Sequence, residues 1–485
     1  MADVVLSVDA VYTYVRTDKH EVYGVIDKVL SVKLDWARWS KAYRMGLWDG
    51  YKRFYDILRN RFLTGFLTLV LASLVDKGYE VEVEGKEYVF GGWEGDVESL
   101  VLNGIDEVRW RETQLPVLRQ VLACKRAVVK MGTGAGKTEV IAGILKALSN
   151  ERALVLVHRV ELLHQMVERL RLRLSEEIGM IGSGKVDVGK RIVVGMVQSV
   201  WMKKPQLARW LKEDVGVLVI DECHHSSSKT WAQIAMLCGA KWRYGFSGTP
   251  LVYNEERDWL LLGLTGEVVH GVQVKDLVEK GYAAKPIVNI VIVPFKFKGT
   301  WNEVFEEVYG RDERMVEVLK AVLRRELGLG KRCIVVFVEK IRHGERLLGE
   351  LKKEGWNVVF AHGGRGDAER VGILRSMREK GYDVVIATTI FDEGIDVAGI
   401  EGVVFWCSTK SVVRVMQRIG RGVRVEAGKN EVNVWEFVVD NRYMKNHLKK
   451  RVGYYGKEEL EWRFWVWAGS GLVEMKQGGA QREIL

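Results

Sequence analysis

Arg126-Ala-Val-Val-Lys130-Met131, then Gly132-Thr133-Gly134-Ala135-Gly136-Lys137-Thr138, then an apolar segment with helical spacing: this stretch decides the fold. An apolar strand, a glycine loop and a helix, in that order, make a phosphate cradle. The glycines let backbone N–H groups turn inward around an anion, and the helix start adds its positive dipole. Lys137 is placed to reach the outer phosphates of a nucleoside triphosphate, and the Thr138 hydroxyl to hold a magnesium ion. The full phosphate-loop pattern asks for glycine where this chain has Met131. Taken alone, the loop also reads as a glycine-rich helix start with a chance lysine.

A second signature lies about ninety residues on. Val217-Leu-Val-Ile220 is a continuous apolar run, the pattern of a strand buried on both faces, and it ends in Asp221-Glu222-Cys223-His224. Two adjacent carboxylates at the end of a strand suit magnesium-nucleotide hydrolysis. Asp221 is expected to hold the metal through water, and Glu222 to orient and deprotonate the attacking water. Acidic strand ends are common, so the order and spacing of the two signatures carry the argument.

Around these two motifs, apolar strand candidates alternate with helical patterns. The first series is Ala127–Met131, Ala153–Val157, Ile192–Met196, Val217–Ile220 and Tyr244–Ser247. The second is Pro286–Val293, Cys333–Val338, Val358–Ala361, Val384–Thr388, Val403–Trp406 and Val432–Val439. Alternation of this kind predicts parallel sheets flanked by helices. The fold class expected is therefore α/β, two tandem parallel-sheet modules behind a small α+β N-terminal domain. The expected boundaries are 1–106, 107–282 and 283–453, with an aromatic tail at 454–485. Between the first two strands of the second module, Phe295–Arg332 is charged and helical in pattern. The run Phe62–Val75 reads as a core helix, being too short for the roughly twenty residues of a membrane span, and Tyr79–Phe90 as a strand pair. In the tail, the Trp462–Trp467 cluster reads either as packing on the second module or as a wedge.

Composition limits the function classes. At 485 residues with 47% hydrophobic and 28% charged residues, the chain is globular and large enough for two or three cores. A formal charge of +10 favours a polyanionic partner. The five cysteines, Cys124, Cys223, Cys238, Cys333 and Cys407, form no C-x-x-C pair. With no secretory pattern, a soluble intracellular protein without membrane contact is expected.

The second module lacks a phosphate loop but carries Gln417-Arg-Ile-Gly-Arg421-Gly-Val-Arg424. On a helix Arg421 and Arg424 share a face, and guanidinium groups reaching a transferring phosphoryl group serve as arginine fingers. The other reading is a solvated basic helix end.

In this order the motifs resemble those of superfamily 2 helicases and translocases, whose two modules are RecA-like; the resemblance spans roughly residues 108–440. It implies that Gln114, eighteen residues before Gly132, reads adenine. It places Arg159 in motif Ia, Gln198 in motif Ib and Thr388 in motif V, each against the nucleic-acid backbone. Gly394 and Asp396 couple that grip to ATP. His224, Ser247 and Thr249 of Ser247-Gly-Thr249-Pro250, together with Gln417, link hydrolysis to strand movement. ATP and Mg2+ are the implied cofactors, and ATP is expected to close the two modules on one pocket.

The N-terminal block, with Trp48-Asp-Gly50-Tyr-Lys-Arg-Phe54, Phe62-Leu-Thr-Gly65 and Gly78-Tyr79, resembles the DNA-binding domain of phage UvsW-type helicases. That implies a DNA helicase for branched substrates (Holliday junctions, stalled forks and R-loops, the last bringing RNA) with strand annealing besides. It also implies branch migration and a part in DNA repair and DNA recombination. The residues themselves say less: Arg38, Lys41, Arg44, Lys52, Arg53, Arg59 and Arg61 interleave with Trp36, Trp39, Tyr43, Trp48, Tyr51 and Phe54. Cations can neutralise phosphates while aromatic faces stack on bases, or the aromatics are core. Two rival readings stay open: an XPB-like duplex translocase, and a nucleic-acid-stimulated ATPase switch without net unwinding.

Overall fold

The computed structural model describes residues 2–104, 110, 112–132, 134–225, 229–251, 256–364, 367–388, 399–407, 419 and 431–475. Contacts divide the chain into two compact units, Met1–Val272 and Gln273–Leu485.

The first unit begins with a small α+β region. Its sheet runs Tyr55–Asp56, Arg61–Leu63, Tyr12–Arg16, Val4–Val8, Val81–Glu84, antiparallel except for the last pair. In Val4–Val8 alternate residues are buried, the pattern of a sheet with one face on a core. Helices His20–Val29 and Leu67–Asp76 supply that core through Val22, Ile26, Leu67, Val70 and Leu74. The predicted core helix over Phe62–Val75 starts only at Leu67, because Phe62 and Leu63 finish a strand. The expected strand pair at 79–90 is one strand, Val81–Glu84. Gly85, at φ +72°, turns the chain into the short helix Lys86–Tyr88.

Eight strands form the second sheet of this unit, in the order Lys185–Val186, Ile178–Gly182, Ile192–Met196, Arg152–Val157, Val215–Asp221, Trp242–Ser247, Arg126–Lys130, Val268–His270. All neighbours are parallel except the first pair. Runs such as Ala153-Leu-Val-Leu-Val157 are wholly buried, as strands covered on both faces must be. Every expected strand of this module forms, within two residues at either end.

The two sheets of the first unit share one hydrophobic cluster, which runs from Val4 and Phe62 to Leu218 and Leu264. Phe54 stacks on Trp259 of helix Glu256–Leu264 with ring centroids 5.9 Å apart, and Phe66 lies 5.7 Å from the same ring. Gly65 permits the approach, since a Cβ there would sit 2.1 Å from the Leu262 carbonyl oxygen. The buried Arg126 guanidinium donates to the carbonyls of Ala10 and Tyr88.

The second unit holds a sheet in the order Val358–Ala361, Val384–Ala387, Ile334–Val338, Gly402–Trp406, Glu431–Asp440, Lys285–Lys296, Glu461–Trp467, Leu472–Glu474, parallel except for the last pair. The charged stretch before Arg332 is helical at Trp301–Glu306 and Glu313–Gly328. The tryptophan cluster of the tail enters this sheet as a strand. Trp465 packs on Trp435 and donates its indole N–H to Asn289 at 2.8 Å. Its large buried rings place it inside the module rather than at a wedge.

The fold is thus two tandem RecA-like parallel-sheet modules behind a small α+β region. Among the described residues, no helix is long and apolar enough to cross a membrane.

Candidate active site

Five parallel strands of the first unit end on one edge of their sheet. From Arg126–Lys130 the chain enters the phosphate loop, and from Arg152–Val157 it reaches His158 and Arg159. Ile192–Met196 leads to Gln198, Val215–Asp221 to the two carboxylates, and Trp242–Ser247 to Ser247 and Thr249. Ligands of open α/β sheets bind at this edge.

Helix Lys137–Ala147 starts at the loop, with Gly136 as its N-cap at φ +83° and Gly134 at φ +82°. Both angles lie in the left-handed region that glycine enters without strain. Gly136 has a second reason: a Cβ there would fall 1.9 Å from Nε2 of Gln114. That amide donates to the Ala135 carbonyl at 3.0 Å, so Gln114, itself buried, braces the loop from behind. At the loop's other end the Gly132 N–H donates to the Val272 carbonyl at 3.1 Å. Met131 is fully buried, occupying the core instead of the loop.

The catalytic candidates form a continuous chain. Lys137 Nζ is ion-paired with Glu222 Oε1. Glu222 Oε2 lies 3.4 Å from Nδ1 of His224, and that nitrogen lies 2.9 Å from Ser247 Oγ. Ser247 Oγ accepts the Thr249 N–H at 3.1 Å, and the Glu222 N–H donates to Asp221 Oδ1 at 3.0 Å. Glu222 has φ +50°, rare for a residue with a side chain. Backbone strain of this kind is found at functional sites.

Electrostatics separates the two carboxylates. Burial pushes the Asp221 carboxyl up to about 6; Lys137 and His158 pull against the rise, and Glu222 adds to it. Burial also opposes charge on Glu222, but Lys137 and His224 outweigh it and hold that carboxyl below the usual range. Lys137 in turn is raised, since its carboxylate neighbours overcome its own desolvation. One acid is thus held ionised by its lysine while the other is poised near neutrality.

The donor set fits magnesium. Asp221 and the Thr138 hydroxyl are hard oxygen donors at a strand end and a helix start, and Mg2+ characteristically takes one or two carboxylates together with phosphate and water oxygens.

Other expected residues fall as follows. Arg159 caps helix Val160–Leu174, Gln198 is exposed on helix Val197–Met202, and Thr388 is buried just past Val384–Ala387. Thr133, Gly394, Asp396, Gln417, Arg421 and Arg424 lie outside the described residues. Two residues went unnoticed in the sequence. His158 acts electrostatically on Asp221. Glu139, buried in the first turn after the loop, lies 3.3 Å from Arg169 and 3.7 Å from Arg173, tying that helix to Val160–Leu174. The adjacency of His158 to Arg159 was a readable signal; the Glu139 contacts were not.

A phosphate loop, a strand-borne acid pair and a second RecA-like module define a nucleotide-hydrolysing motor. Residues 107–252 match the family model described as type III restriction enzyme, res subunit, and residues 315–426 match the helicase conserved C-terminal domain. The ATP-dependent DNA helicase uvsW of Enterobacteria phage T4 is 26% identical over 458 residues, covering 88% of this chain and 89% of that protein. The DNA 3'-5' translocase XPB2 of Sulfurisphaera tokodaii is 26% identical over 434 residues, covering 79% and 91%. Dbp5 of S. cerevisiae bound to RNA and ADP BeF3 shares the fold, with TM-score 0.50, 18% identity, and 74% and 95% of the two chains covered. The chain belongs to superfamily 2 of the helicases and is an ATP-dependent enzyme of that class.

Proposed function

We propose that this chain is an ATP-driven DNA helicase or translocase that works on branched DNA such as four-way junctions, stalled forks and R-loops. The observation that carries the catalytic part is the buried Lys137–Glu222 pair at the strand edge. Where the two are paired, Lys137 neutralises the proposed general base. An incoming γ-phosphate competes for the same ammonium. Once Lys137 turns to phosphate, Glu222 loses the partner that holds its carboxyl down and becomes basic enough to take a proton from water. The base is therefore switched on by substrate. Gln114 and the loop N–H groups bind and orient the nucleotide, and His224 keeps Glu222 aimed. Magnesium held by Thr138 and Asp221 would supply charge neutralisation at the phosphates.

Movement requires the second module. Arg421 and Arg424 are proposed to stabilise the transferring phosphoryl group. Gly394, Asp396 and Gln417 are proposed to relay its departure, with His224, Ser247 and Thr249 relaying on the first module. Arg159, Gln198 and Thr388 are proposed to grip the backbone. Residues 1–106 are proposed to select the substrate, a role supported by likeness to the phage T4 helicase over most of both chains. The likeness to the archaeal translocase supports a second reading, duplex translocation without processive unwinding.

One comparison separates them: ATP hydrolysis and strand separation on single strand, duplex, fork, four-way junction and R-loop. The proposal expects branched substrates to be resolved, and to stimulate hydrolysis beyond plain duplex. Hydrolysis with every branched substrate left intact would defeat it in favour of a translocase or switch.

A further inference from the structure

The N-terminal region carries more positive side chains than it has available for a ligand. Lys52 is paired with Glu256 at 3.0 Å, and Arg53 with both Asp27 and Asp49. Arg59 is held by Asp56, while Arg61 contacts the same carboxylate and lies 3.8 Å from the Tyr12 ring centroid. Arg16 is spent on Glu84. Three cations of the aromatic stretch remain. Arg38, Lys41 and Arg44 are exposed and pair with no carboxylate among the described residues.

These three lie on one short excursion. Strands Ser31–Lys33 and Tyr51–Arg53 form a two-stranded ribbon, and between them the chain makes the turns Ala37–Trp39 and Lys41–Arg44. Buried Leu34 and Ala37 anchor it, and the Leu34 N–H donates to the Gly50 carbonyl at 2.9 Å. Gly50, at φ +82°, takes a left-handed backbone that suits glycine, and a Cβ there would press on the Tyr43 ring at 3.0 Å. The excursion is thus a built element whose outer side chains are aromatic and uncovered. Trp39 is 72% exposed and Trp36 46%. Trp36 packs at 5.5 Å on Trp48, whose N–H donates to the Tyr51 carbonyl, so its ring is held in place. The Arg38 guanidinium sits 5.2 Å from the Trp39 ring.

We infer that residues 36–47 hold unpaired nucleotides, with Trp36 and Trp39 stacking on bases and Arg38, Lys41 and Arg44 neutralising the adjoining phosphates. Flat exposed rings beside uncommitted cations suit a strand whose bases are open; in a duplex those faces are already stacked. The inference rests on the proposed DNA-motor function and adds which part of a branched substrate the N-terminal region takes, the single-stranded arm.

The test uses the full chain without nucleotide, and fluorescence anisotropy on labelled oligothymidylate of twenty residues and on a blunt duplex of equal length. Trp39→Ala should weaken the single-strand complex by about five- to a hundredfold and leave the duplex complex within about twofold. The triple change of Arg38, Lys41 and Arg44 to Gln should reduce the single-strand salt slope by about 2, three contacts at roughly 0.7 each. Lys77→Gln, at the end of helix Leu67–Asp76, should change neither. Basal ATP hydrolysis of each variant reports an intact fold. Equal losses on both ligands, no loss on oligothymidylate, or no oligothymidylate binding by the parent chain would each overturn the inference. If the parent resolves forks while Trp39→Ala binds oligothymidylate normally, only the platform falls; if no DNA stimulates the parent's hydrolysis, the motor reading falls with it.

Discussion

Each unit buries a carboxylate against a cation, and the two pairs have opposite purposes. Lys137 and Glu222 stand at the end of a parallel strand with side chains 14% and 17% exposed; Arg451 and Glu436 are 3% and 2% exposed. Glu436 lies inside strand Glu431–Asp440, with Arg451 from helix Arg442–Lys457 donating to it at 2.7 Å and the Tyr455 hydroxyl at 3.5 Å. No ligand needs to open that pair. At the strand end, by contrast, a phosphate can take the lysine and a water proton can take the glutamate. Position along the strand, rather than chemistry, separates the pair proposed to work in hydrolysis from the one enclosed in the core.

The largest effects should come from breaking the first pair. Glu222→Gln removes the proposed base but keeps the shape, so hydrolysis should fall by on the order of 10²–10⁴ while nucleotide and DNA still bind. Lys137→Ala should also abolish turnover while the chain stays folded, with a lower thermal midpoint because Glu222 loses its cation. Steady-state phosphate release beside a melting curve checks both, and retained turnover in either variant would remove the assigned site. Arg451→Leu should act the other way. It leaves Glu436 buried without its cation and should destabilise the second unit by about 3–5 kcal/mol, seen as a lower urea midpoint. A variant replacing both partners by apolar residues should recover much of that loss, because no uncompensated charge remains.

The same contrast shows what the sequence made legible. Strands came through as continuous apolar runs, because covering both faces of a parallel sheet demands little else of a residue. Ile178–Gly182 and Val268–His270 did not, since glycines in the one and brevity in the other erase the signal. Lys137 and Glu222 stood out in the loop and strand-end patterns; their pairing did not, because it joins residues 85 apart in the chain. Nor could the sequence show that residues 1–106 share a core with the first motor sheet. Phe54, Phe66 and Trp259 meet across some two hundred residues of chain, and nothing in local spacing announces it. Removing residues 1–106 would bare that core, so point substitutions on the exposed excursion are the cleaner probe of recognition.

A subtler break lies one contact out from Glu222. Ser247 Oγ joins His224 to the Thr249 backbone, so Ser247→Ala should loosen the link between the carboxylate and the loop that follows Trp242–Ser247. Hydrolysis should persist, while strand separation per ATP consumed falls about tenfold, a coupling loss near 1.4 kcal/mol. Both rates measured in one reaction give the ratio, and an unchanged ratio would make this contact structural only.

The smallest effects should appear as opposite pH dependences. Glu306 of the second unit faces Lys340, Arg342 at 2.5 Å and His343 at 3.1 Å. Burial opposes its charge, but these three partners prevail and hold the carboxyl at about 2, below its ordinary 4.5. A depressed acid stabilises the fold above its unfolded value, and that contribution is lost as pH falls from about 4.5 toward 2. Asp221 is raised from 3.8 to about 6 by burial, so its sign reverses: the fold is favoured below about 3.8, and that advantage disappears as pH rises through about 6. Glu306→Gln should therefore destabilise the chain at pH 7, and Asp221→Asn should stabilise it there, each by on the order of 1 kcal/mol. The Asp221→Asn gain should shrink toward pH 4 and the Glu306→Gln loss toward pH 3, as read from urea midpoints across that range. Parallel shifts in the two variants would mean that the carboxylate at the strand end is no more costly to the fold than the one that holds a helix in place.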